Sequence, residues 1–293
     1  MVSFDYVEPP TLERLIEQLA QAGSEGTVLA GGTDLLVKVR AGLAGPRVLF
    51  DMGNLRECRE VADEGQRLRI GAAVRMNEIV ASKAIQRKAP SLAAAARQMS
   101  STQIRNRATL GGNIMTASPA ADAVPPLLAA AASLVLAGPK GEREVLLSDF
   151  LLGPGKTALA ESEVLTHILL PVEGGRGRSH FIKVGQRNAM AISVVNFAGW
   201  TKVNPNGRVD DIRIVLGAVA PTAIRARRAE QAIISTTPDS NTLAEAARLA
   251  AEECRPISDL RGTAAGRRLL VEAWTLRLLQ QLLGNQSSAG YQS

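Results

Sequence analysis

The stretch TLGGNIMTASPAAD, residues 109–122, contains more small and polar residues than an ordinary core element. Two adjacent glycines, Gly111 and Gly112, stand between Thr109 and Asn113. Consecutive glycines allow positive φ angles and let the backbone approach a ligand closely. Their N–H groups, together with nearby hydroxyl and amide groups, can form a concave site for an anion. The stretch therefore predicts a loop that packs against an anionic ligand.

A second glycine pair occurs in VLAGGTDLL, residues 28–36, directly after a predicted strand at residues 27–30. Gly31 and Gly111 are 80 residues apart in the chain. Two such loops suit a ligand with two phosphates, for which a dinucleotide is the natural candidate. The alternative is that each pair forms an ordinary turn, and either pair taken alone does not decide between the two interpretations.

Two common phosphate-binding motifs do not fit. VLAGGTDLL lacks the G-x-G-x-x-G spacing of the Rossmann fingerprint. GPGKT, residues 153–157, resembles the end of a P-loop, but the position that must be the first glycine of that motif is Phe150. We therefore interpret GPGKT as a turn.

The cysteine and histidine content argues against several other kinds of site. Cys58 and Cys254 are the only cysteines and neither belongs to a C-x-x-C motif, so a disulfide framework or a cysteine-ligated cluster is not expected. His167 and His180 are too few for a typical zinc site. No G-x-S-x-G motif indicates a serine hydrolase. The sequence therefore predicts no metal ligand and no catalytic side chain.

The overall composition fits a globular protein. The 293 residues are 46% hydrophobic, which suffices for a sizeable core, and no apolar run is long enough for a transmembrane helix. The N-terminus does not resemble a signal peptide, so we expect a cytoplasmic protein. A net charge of +6 fits nucleic acid, an anionic cofactor or acidic partner subunits. Because the basic residues are scattered and aromatic residues are few, we expect neither nucleic acid nor a membrane as the partner.

Hydrophobic periodicity predicts an α+β protein in three parts. The first combines a helix over residues 11–23 with two strands, and the second adds further strands and helices. The glycine-rich segment EGGRGRS, residues 173–179, marks a boundary before the third part, which predicts an antiparallel meander followed by helices over residues 242–254 and 264–284. The predicted parts are residues 1–55, 56–175 and 178–293.

Five motifs occur in a fixed order over nearly the whole chain, and together they closely resemble the FAD-binding medium subunit of the molybdenum hydroxylases, above all the bacterial xanthine dehydrogenase type and the carbon monoxide dehydrogenase flavoproteins. The motifs are VLAGGTDLL, STQIRNRATLGGNIMTASPAAD, GPGKTAL, FIKVGQRNAMAISVVNFA and LGAVAPTAIRARRAE. The resemblance implies a two-part FAD-binding module of the vanillyl-alcohol-oxidase (PCMH) type, followed by a C-terminal α+β domain with a small antiparallel sheet and helices.

The resemblance also implies a set of FAD contacts. In the family the two glycine loops wrap the FAD pyrophosphate, and further positions contact the phosphate, the ribityl chain, the adenine side and the flavin. Carried over to this chain, the set is Leu29, Ala30, Gly31, Gly32, Thr33, Asp34, Thr109, Leu110, Gly111, Gly112, Asn113, Thr116, Asp122, Leu165 and Lys183.

The residues themselves leave other roles open for four of the charged side chains. Asp122 suits a ribityl hydroxyl better than a phosphate, and it is equally placed to be the N-cap of the helix that begins at AVPPLL. Lys183 has the alternative of a solvated strand lysine. Arg105 and Arg107 are candidates for attracting the anionic cofactor or for a plain surface position.

As implied by the resemblance, the chain is an oxidoreductase subunit of a heterotrimer, expected as a dimer of heterotrimers. The large subunit carries the molybdenum cofactor and the small subunit carries the iron–sulfur clusters. Electrons pass from those clusters to FAD on this chain and then to NAD+ or another acceptor. The alternatives are a self-standing flavin oxidoreductase of the same fold, similar to UDP-N-acetylenolpyruvoylglucosamine reductase, and a basic nucleic-acid-binding protein without enzymatic activity.

Overall fold

The computed structural model describes residues 3–172, 177–187 and 190–284. Within these ranges the chain forms a three-stranded, a five-stranded and a four-stranded sheet, together with a two-stranded hairpin. Each part of the chain contains both helices and strands, and the two larger sheets are antiparallel, which confirms the predicted α+β class. None of the helices in the described ranges is long and apolar enough to span a lipid bilayer.

The first sheet is parallel, in the strand order β1–β3–β2. Its elements in chain order are β1 Asp5–Val7, α1 Leu12–Ala22, β2 Gly26–Leu29, α2 Leu35–Arg40 and β3 Val48–Asp51. The two strands and the helix predicted for this part are present, and the LLVKVR segment forms the short helix α2. The loop between β2 and α2 is the first glycine loop.

Helix α1 begins and ends where its sequence predicts. The Thr11 hydroxyl accepts a hydrogen bond from the Arg14 N–H and caps the first turn. Leu15 and Leu19 are buried on one face. Gly23 ends the helix at φ 53°, a left-handed conformation that glycine adopts without a steric cost.

The second sheet is antiparallel, in the order β4–β5–β10–β6–β7. Its strands are β4 Val61–Asp63, β5 Arg67–Gly71, β6 Ser133–Gly138, β7 Gly141–Leu146 and β10 Val164–Pro171. The predicted GPGKT turn joins the two strands of the separate hairpin, β8 Leu151–Gly153 and β9 Lys156–Thr157. The turn interpretation of GPGKT is therefore correct.

Seven short helices accompany this sheet. They are α3 Met76–Ala81, α4 Lys83–Lys88, α5 Pro90–Gln98, α6 Thr102–Arg105, α7 Leu110–Met115, α8 Val124–Ala129 and α9 Leu147–Phe150. Two 3-10 turns, Gly23–Glu25 and Arg56–Arg59, complete the helical content up to this point. The second glycine pair lies inside α7 and not in an open loop, so the helix backbone and not a flexible turn sets its position.

The third sheet is the predicted antiparallel meander, extended by one short strand in the order β11–β12–β13–β14. Its strands are β11 Gly177–Val184, β12 Val195–Val203, β13 Val209–Gly217 and β14 Ile224–Arg225. The helices that follow are α10 Arg227–Ile233, α11 Ser240–Glu253 and α12 Ala264–Leu283. A turn at residues 204–207 joins β12 to β13, with Gly207 at φ 80°.

The first two sheets share one hydrophobic core. Leu15 and Phe50 from the first part join Ile70, Phe150 and Ile168 from the second in a single cluster of buried side chains. Each such side chain contributes roughly 1.5–3 kcal/mol when fully buried. The third sheet and its helices have a separate core. This shared core fixes the first sheet against the second, so the loops at the ends of their strands keep a fixed position relative to each other.

Most of the boundary predicted at residues 173–179 lies outside the described residues.

Candidate cofactor-binding cleft

A cleft of about 760 Å³ lies between the first glycine loop and the second part of the chain. This volume is within the range of roughly 300–1,000 Å³ that is typical of small-molecule sites. Eleven of the fifteen residues predicted to contact FAD line it: Ala30, Gly31, Gly32, Thr33, Asp34, Thr109, Gly111, Gly112, Asn113, Thr116 and Leu165. The structure therefore brings both predicted loops to one site.

Four predicted contact residues do not line the cleft. The side chains of Leu29 and Leu110 are buried in the protein directly beside the two loops. Asp122 and Lys183 lie beyond the cleft and contact each other. FAD contacts stay predictions for all fifteen residues, and these four lack even a place in the cleft lining.

The first glycine loop presents backbone N–H groups. Within the described part of the chain, the N–H groups of Gly31, Gly32 and Thr33 donate to no other residue. Gly32 has φ 72°, which lets successive N–H groups turn towards the same side. Gly31 has a different reason to be glycine, since a Cβ there would lie 2.1 Å from the backbone oxygen of Arg107. Gly31 therefore allows the loop to pack closely against the second part of the chain, and Gly32 allows the positive φ angle of the loop backbone.

The second glycine loop is the start of α7. The Thr109 hydroxyl caps the helix by accepting a hydrogen bond from the Gly112 N–H at 3.1 Å. A Cβ at Gly111 would lie 2.8 Å from the backbone oxygen of Ala72, so this glycine is also required by packing within the chain. Asn113 lines the cleft, and its buried Oδ1 has no hydrogen-bond partner among the described residues. Because buried polar atoms are nearly always satisfied, this oxygen indicates a donor supplied by a ligand or by water.

A polar contact joins the two loops across the cleft. Thr116 Oγ1 lies 3.4 Å from Asp34 Oδ2 and 2.9 Å from the backbone oxygen of Gly112. Asp34 Oδ2 also lies 2.7 Å from Lys38 Nζ, one turn further along α2. The carboxylate at the end of the first loop therefore forms a partly exposed ion pair with a lysine of the helix that follows it.

Asp122 is not the N-cap of α8, so that interpretation is wrong. The residue before the helix is Ala123, and no side chain caps it. Asp122 instead accepts hydrogen bonds from Ser193 Oγ at 2.6 Å and Asn196 Nδ2 at 2.8 Å, and it pairs with Lys183 Nζ at 2.6 Å. The carboxylate therefore binds these three donors of the C-terminal part and not the N–H groups at the start of α8.

The structure bears on the alternative roles of the basic residues, and Arg107 is exposed and does not line the cleft. Lys183 is not a solvated strand lysine, because its side chain is only 8% exposed. Arg105 does not line the cleft. It donates to the backbone oxygens of Met99 and Ser100, two residues that do line it, and so holds that segment in place.

Several residues that line the cleft were not predicted. Lys38 is the single basic one among the described residues, and its spacing of four from Asp34 on a helix is a signal that the sequence does contain. The others come from segments distant in sequence: Leu19, Gly23, Ser24, Met52, Met99, Ser100, Ile104, residues 159–164 and Ile192. Tertiary packing brings them together, and no local pattern marks them.

The cysteines and histidines take no part in this cleft. No cysteine or histidine lines it within the described part of the chain. Burial raises the pKa of the Cys58 and Cys254 thiols to about 12, so both stay protonated near neutral pH. No group of three or more candidate metal ligands occurs among the described residues. Ligand contacts in this cleft therefore come from groups other than cysteine and histidine: backbone N–H groups, neutral polar groups and the charged side chains of the lining.

The chain matches two protein-family models in succession. Residues 2–173 match the FAD binding domain in molybdopterin dehydrogenase, and residues 180–282 match the CO dehydrogenase flavoprotein C-terminal domain. The two matches cover both the cleft and the third sheet with its helices.

Similar proteins agree with these matches. The xanthine dehydrogenase FAD-binding subunit of Escherichia coli O157:H7 is 33% identical over 280 residues, which is 94% of both chains. The carbon monoxide dehydrogenase medium chain of Hydrogenophaga pseudoflava is 33% identical over 261 residues, covering 89% of this chain and 90% of that one.

Solved structures show the same fold over nearly the whole chain. Carbon monoxide dehydrogenase from Hydrogenophaga pseudoflava superposes with a TM-score of 0.92 at 32% identity, covering 96% of this chain and 97% of that one. Quinoline 2-oxidoreductase from Pseudomonas putida 86 superposes with a TM-score of 0.91 at 29% identity and the same coverage. The chain belongs to the family of the FAD-binding medium subunits of molybdenum hydroxylases.

Proposed function

We propose that this chain binds FAD in the cleft described above and passes electrons from the iron–sulfur clusters of a partner subunit to NAD+ or another acceptor. The molybdenum cofactor, at which substrate is oxidised, belongs to a third subunit in this proposal. FAD supplies the redox chemistry once it is bound, because its ring accepts single electrons and releases them in pairs. The chain's own task is to bind, orient and shield it.

The observation that supports this proposal most directly is the donor set of the cleft. The unpaired N–H groups of Gly31, Gly32 and Thr33 suit phosphate oxygens, which accept hydrogen bonds without requiring side-chain bulk. Asn113 Oδ1 is a buried acceptor that suits a hydroxyl or amino group. An anionic dinucleotide has both kinds of group, so the cleft fits FAD.

The same residues define how the chain would hold FAD. The two glycine loops both line the cleft, and the Thr116–Asp34 contact ties them together beside the N–H groups. Apolar side chains at Met99, Ile104 and Ile192 line the cleft as well and suit a flat ring system. Met99 is buried, whereas Ile104 and Ile192 are exposed, so a bound ring would cover both.

The identity of the acceptor and of the assembly is part of the proposal. Subunits of a xanthine, a carbon monoxide and a nicotinate dehydrogenase are 33%, 33% and 29% identical to this chain. We infer a heterotrimer with a molybdenum-binding large subunit and an iron–sulfur small subunit, paired into a dimer of heterotrimers. The segment VGQRNAM, residues 184–190, is proposed to border the site where NAD+ enters; its residues 188 and 189 lie outside the described residues.

The proposal is tested by anaerobic reduction of the isolated FAD-loaded chain. NADH should bleach the flavin absorption band, whereas xanthine should not, because in this proposal the molybdenum centre that oxidises substrate belongs to another subunit. Bleaching by xanthine alone would overturn the division of labour between subunits. Failure of NADH would leave FAD binding intact and assign the electrons to another acceptor, such as a quinone, oxygen or another protein.

The self-standing flavin reductase is the weaker candidate. Both family models and the relatives at 94% mutual coverage are subunits named for multi-subunit dehydrogenases. Co-expression with the molybdenum-binding and iron–sulfur subunits distinguishes the two functions. A self-standing enzyme would elute separately from both subunits, whereas a medium subunit would co-elute with them.

A further inference from the structure

Lys38 stands out by charge among the residues of the cleft. Within the described part of the chain it is the one basic side chain in the lining, whereas Asp34, Glu161 and Glu163 are acidic. The Glu163 carboxylate is neutralised from outside the cleft, since Arg143 donates to it from Nε at 2.7 Å and Nη2 at 2.8 Å. A ligand with two phosphates therefore meets a lining in which a single lysine is available to balance its charge.

The position of Lys38 directs this charge to the first glycine loop. Its Nζ lies 2.7 Å from Asp34 Oδ2, and Asp34 is the next residue after the unpaired N–H groups of Gly31, Gly32 and Thr33. The pair is about half exposed on both sides, with side-chain exposures of 44% and 48%. Such pairs contribute little to stability, so the ammonium group can turn towards a stronger anion at small cost.

We propose that Lys38 binds the diphosphate of FAD, and that Asp34 holds its ammonium group beside the first glycine loop until the cofactor arrives. This inference rests on the proposed function, because it takes FAD as the ligand of the cleft. Backbone N–H groups offer partial charges to the diphosphate, and the Asp34 carboxylate beside them repels it. Lys38 supplies the full positive charge that makes the loop favourable to a dianion.

The test is FAD binding to the flavin-free protein, measured by quenching of flavin fluorescence. Lys38→Met should weaken FAD binding about two- to fivefold, the effect of a partly exposed charge on an anion. Lys38→Arg should retain most of the affinity because the charge is kept. The matched control is Lys83→Met, which removes an exposed helical lysine that does not line the cleft and should leave FAD affinity unchanged.

Two further measurements separate a charge effect from a loss of structure. Raising NaCl from about 50 to about 500 mM should weaken FAD binding of the unmodified protein more than that of Lys38→Met, since screening acts on the charge that the variant lacks. Asp34→Asn frees Lys38 while keeping an oxygen for Thr116, so it should bind FAD more tightly. In the Asp34→Asn background, Lys38→Met should again weaken binding.

The results that would overturn the inference are distinct from those that would overturn the proposed function. If the unmodified protein binds FAD but Lys38→Met binds it equally well, or keeps the same salt dependence, Lys38 is not a diphosphate ligand. Equal losses in Lys38→Met and Lys83→Met would have the same meaning. If the unmodified protein does not bind FAD at all, both the proposed function and this inference fall.

Discussion

Lys183 of the C-terminal part and Asp122 of the second part form a buried ion pair at 2.6 Å, with both side chains less than 10% exposed. Ser193 and Asn196 donate to the same carboxylate, and Lys183 also donates to the backbone oxygen of Gln98. Gln98 is the neighbour of Met99, which lines the cleft. Ile192, the neighbour of Ser193, lines the cleft itself. The carboxylate of Asp122 therefore fixes the β11–β12 segment against the FAD-binding part beside the cleft.

We predict that Asp122→Ala lowers the free energy of unfolding by about 3–5 kcal/mol, because it leaves the buried Lys183 ammonium group without its counter-charge. Denaturant unfolding of the flavin-free protein measures this. FAD affinity should fall as well, by roughly 1–3 kcal/mol, if the carboxylate also contacts the cofactor. Unchanged stability would contradict the ion-pair role, and a stability loss without loss of FAD affinity would assign Asp122 a structural role alone.

We also predict that the two glycines of each pair respond differently to substitution. Gly31→Ala and Gly111→Ala should reduce the yield of folded protein, because their Cβ atoms would meet backbone oxygens at 2.1 and 2.8 Å. Gly112→Ala should be tolerated, since its nearest neighbour is the Thr109 hydroxyl at 2.9 Å and alanine favours a helix by up to about 1 kcal/mol. Circular dichroism and thermal melting compare the three variants.

The matching prediction concerns larger side chains at the two remaining positions. Gly32→Val and Gly112→Val should leave a folded protein with a strongly reduced FAD content, because both residues line the cleft. At Gly32 the strain of φ 72° adds to this effect. Full FAD occupancy in both variants, measured as flavin absorbance per chain, would show that these loops are ordinary turns.

These differences show how far the sequence could predict the site. The paired glycines pointed to two segments that both line the cleft, since the need for close backbone approach is visible in the residue type alone, but the second segment is a helix start and not the predicted open loop. Their separate roles were not visible, because the oxygens that exclude a Cβ at Gly31 and Gly111 belong to Arg107 and Ala72, which only the fold places there. The partners of Asp122 are likewise far along the chain, so local capping preference gave the wrong role.

The fold was more accessible to prediction than the site. Strand β10 is mostly apolar, and α1 has its own cap and stop residues, so their local signals agree with the final structure. Helix α7 lacked such a signal, because two glycines disfavour a helix. It forms because Thr109 caps it and because Leu110 and Ile114 are buried in the shared core.

A pH dependence of stability is predicted from His167. Burial, helped by the nearby Arg69 charge, lowers the pKa of this imidazole below its ordinary value of 6.5 in the folded protein. The unfolded chain therefore takes up the proton first as pH falls. Stability should be constant above about pH 6.5 and should decline below it, until the folded protein is protonated as well.

Urea unfolding at a series of pH values from about 8 to about 5 measures this dependence. Burial lowers the pKa of His180 too, so both histidines contribute in the same direction. His167→Gln should flatten part of the decline, and adding His180→Gln should flatten more of it. A stability that rises on acidification through this range would contradict the prediction.

Finally, we predict that FAD is bound without a covalent link and at one molecule per chain. Covalent attachment of a flavin requires a nucleophilic side chain beside its ring, and the described residues that line the cleft include no cysteine or histidine. Cys58 and Cys254 are fully buried elsewhere, and their raised pKa of about 12 keeps the thiols protonated and unreactive. Precipitation of the FAD-loaded protein with acid should therefore release all of the yellow colour into the supernatant, where mass spectrometry should find intact FAD in an amount equal to that of the chain. Yellow colour that stays in the washed pellet would show a covalent link, and a released flavin without the second phosphate would assign the two glycine loops to a different ligand.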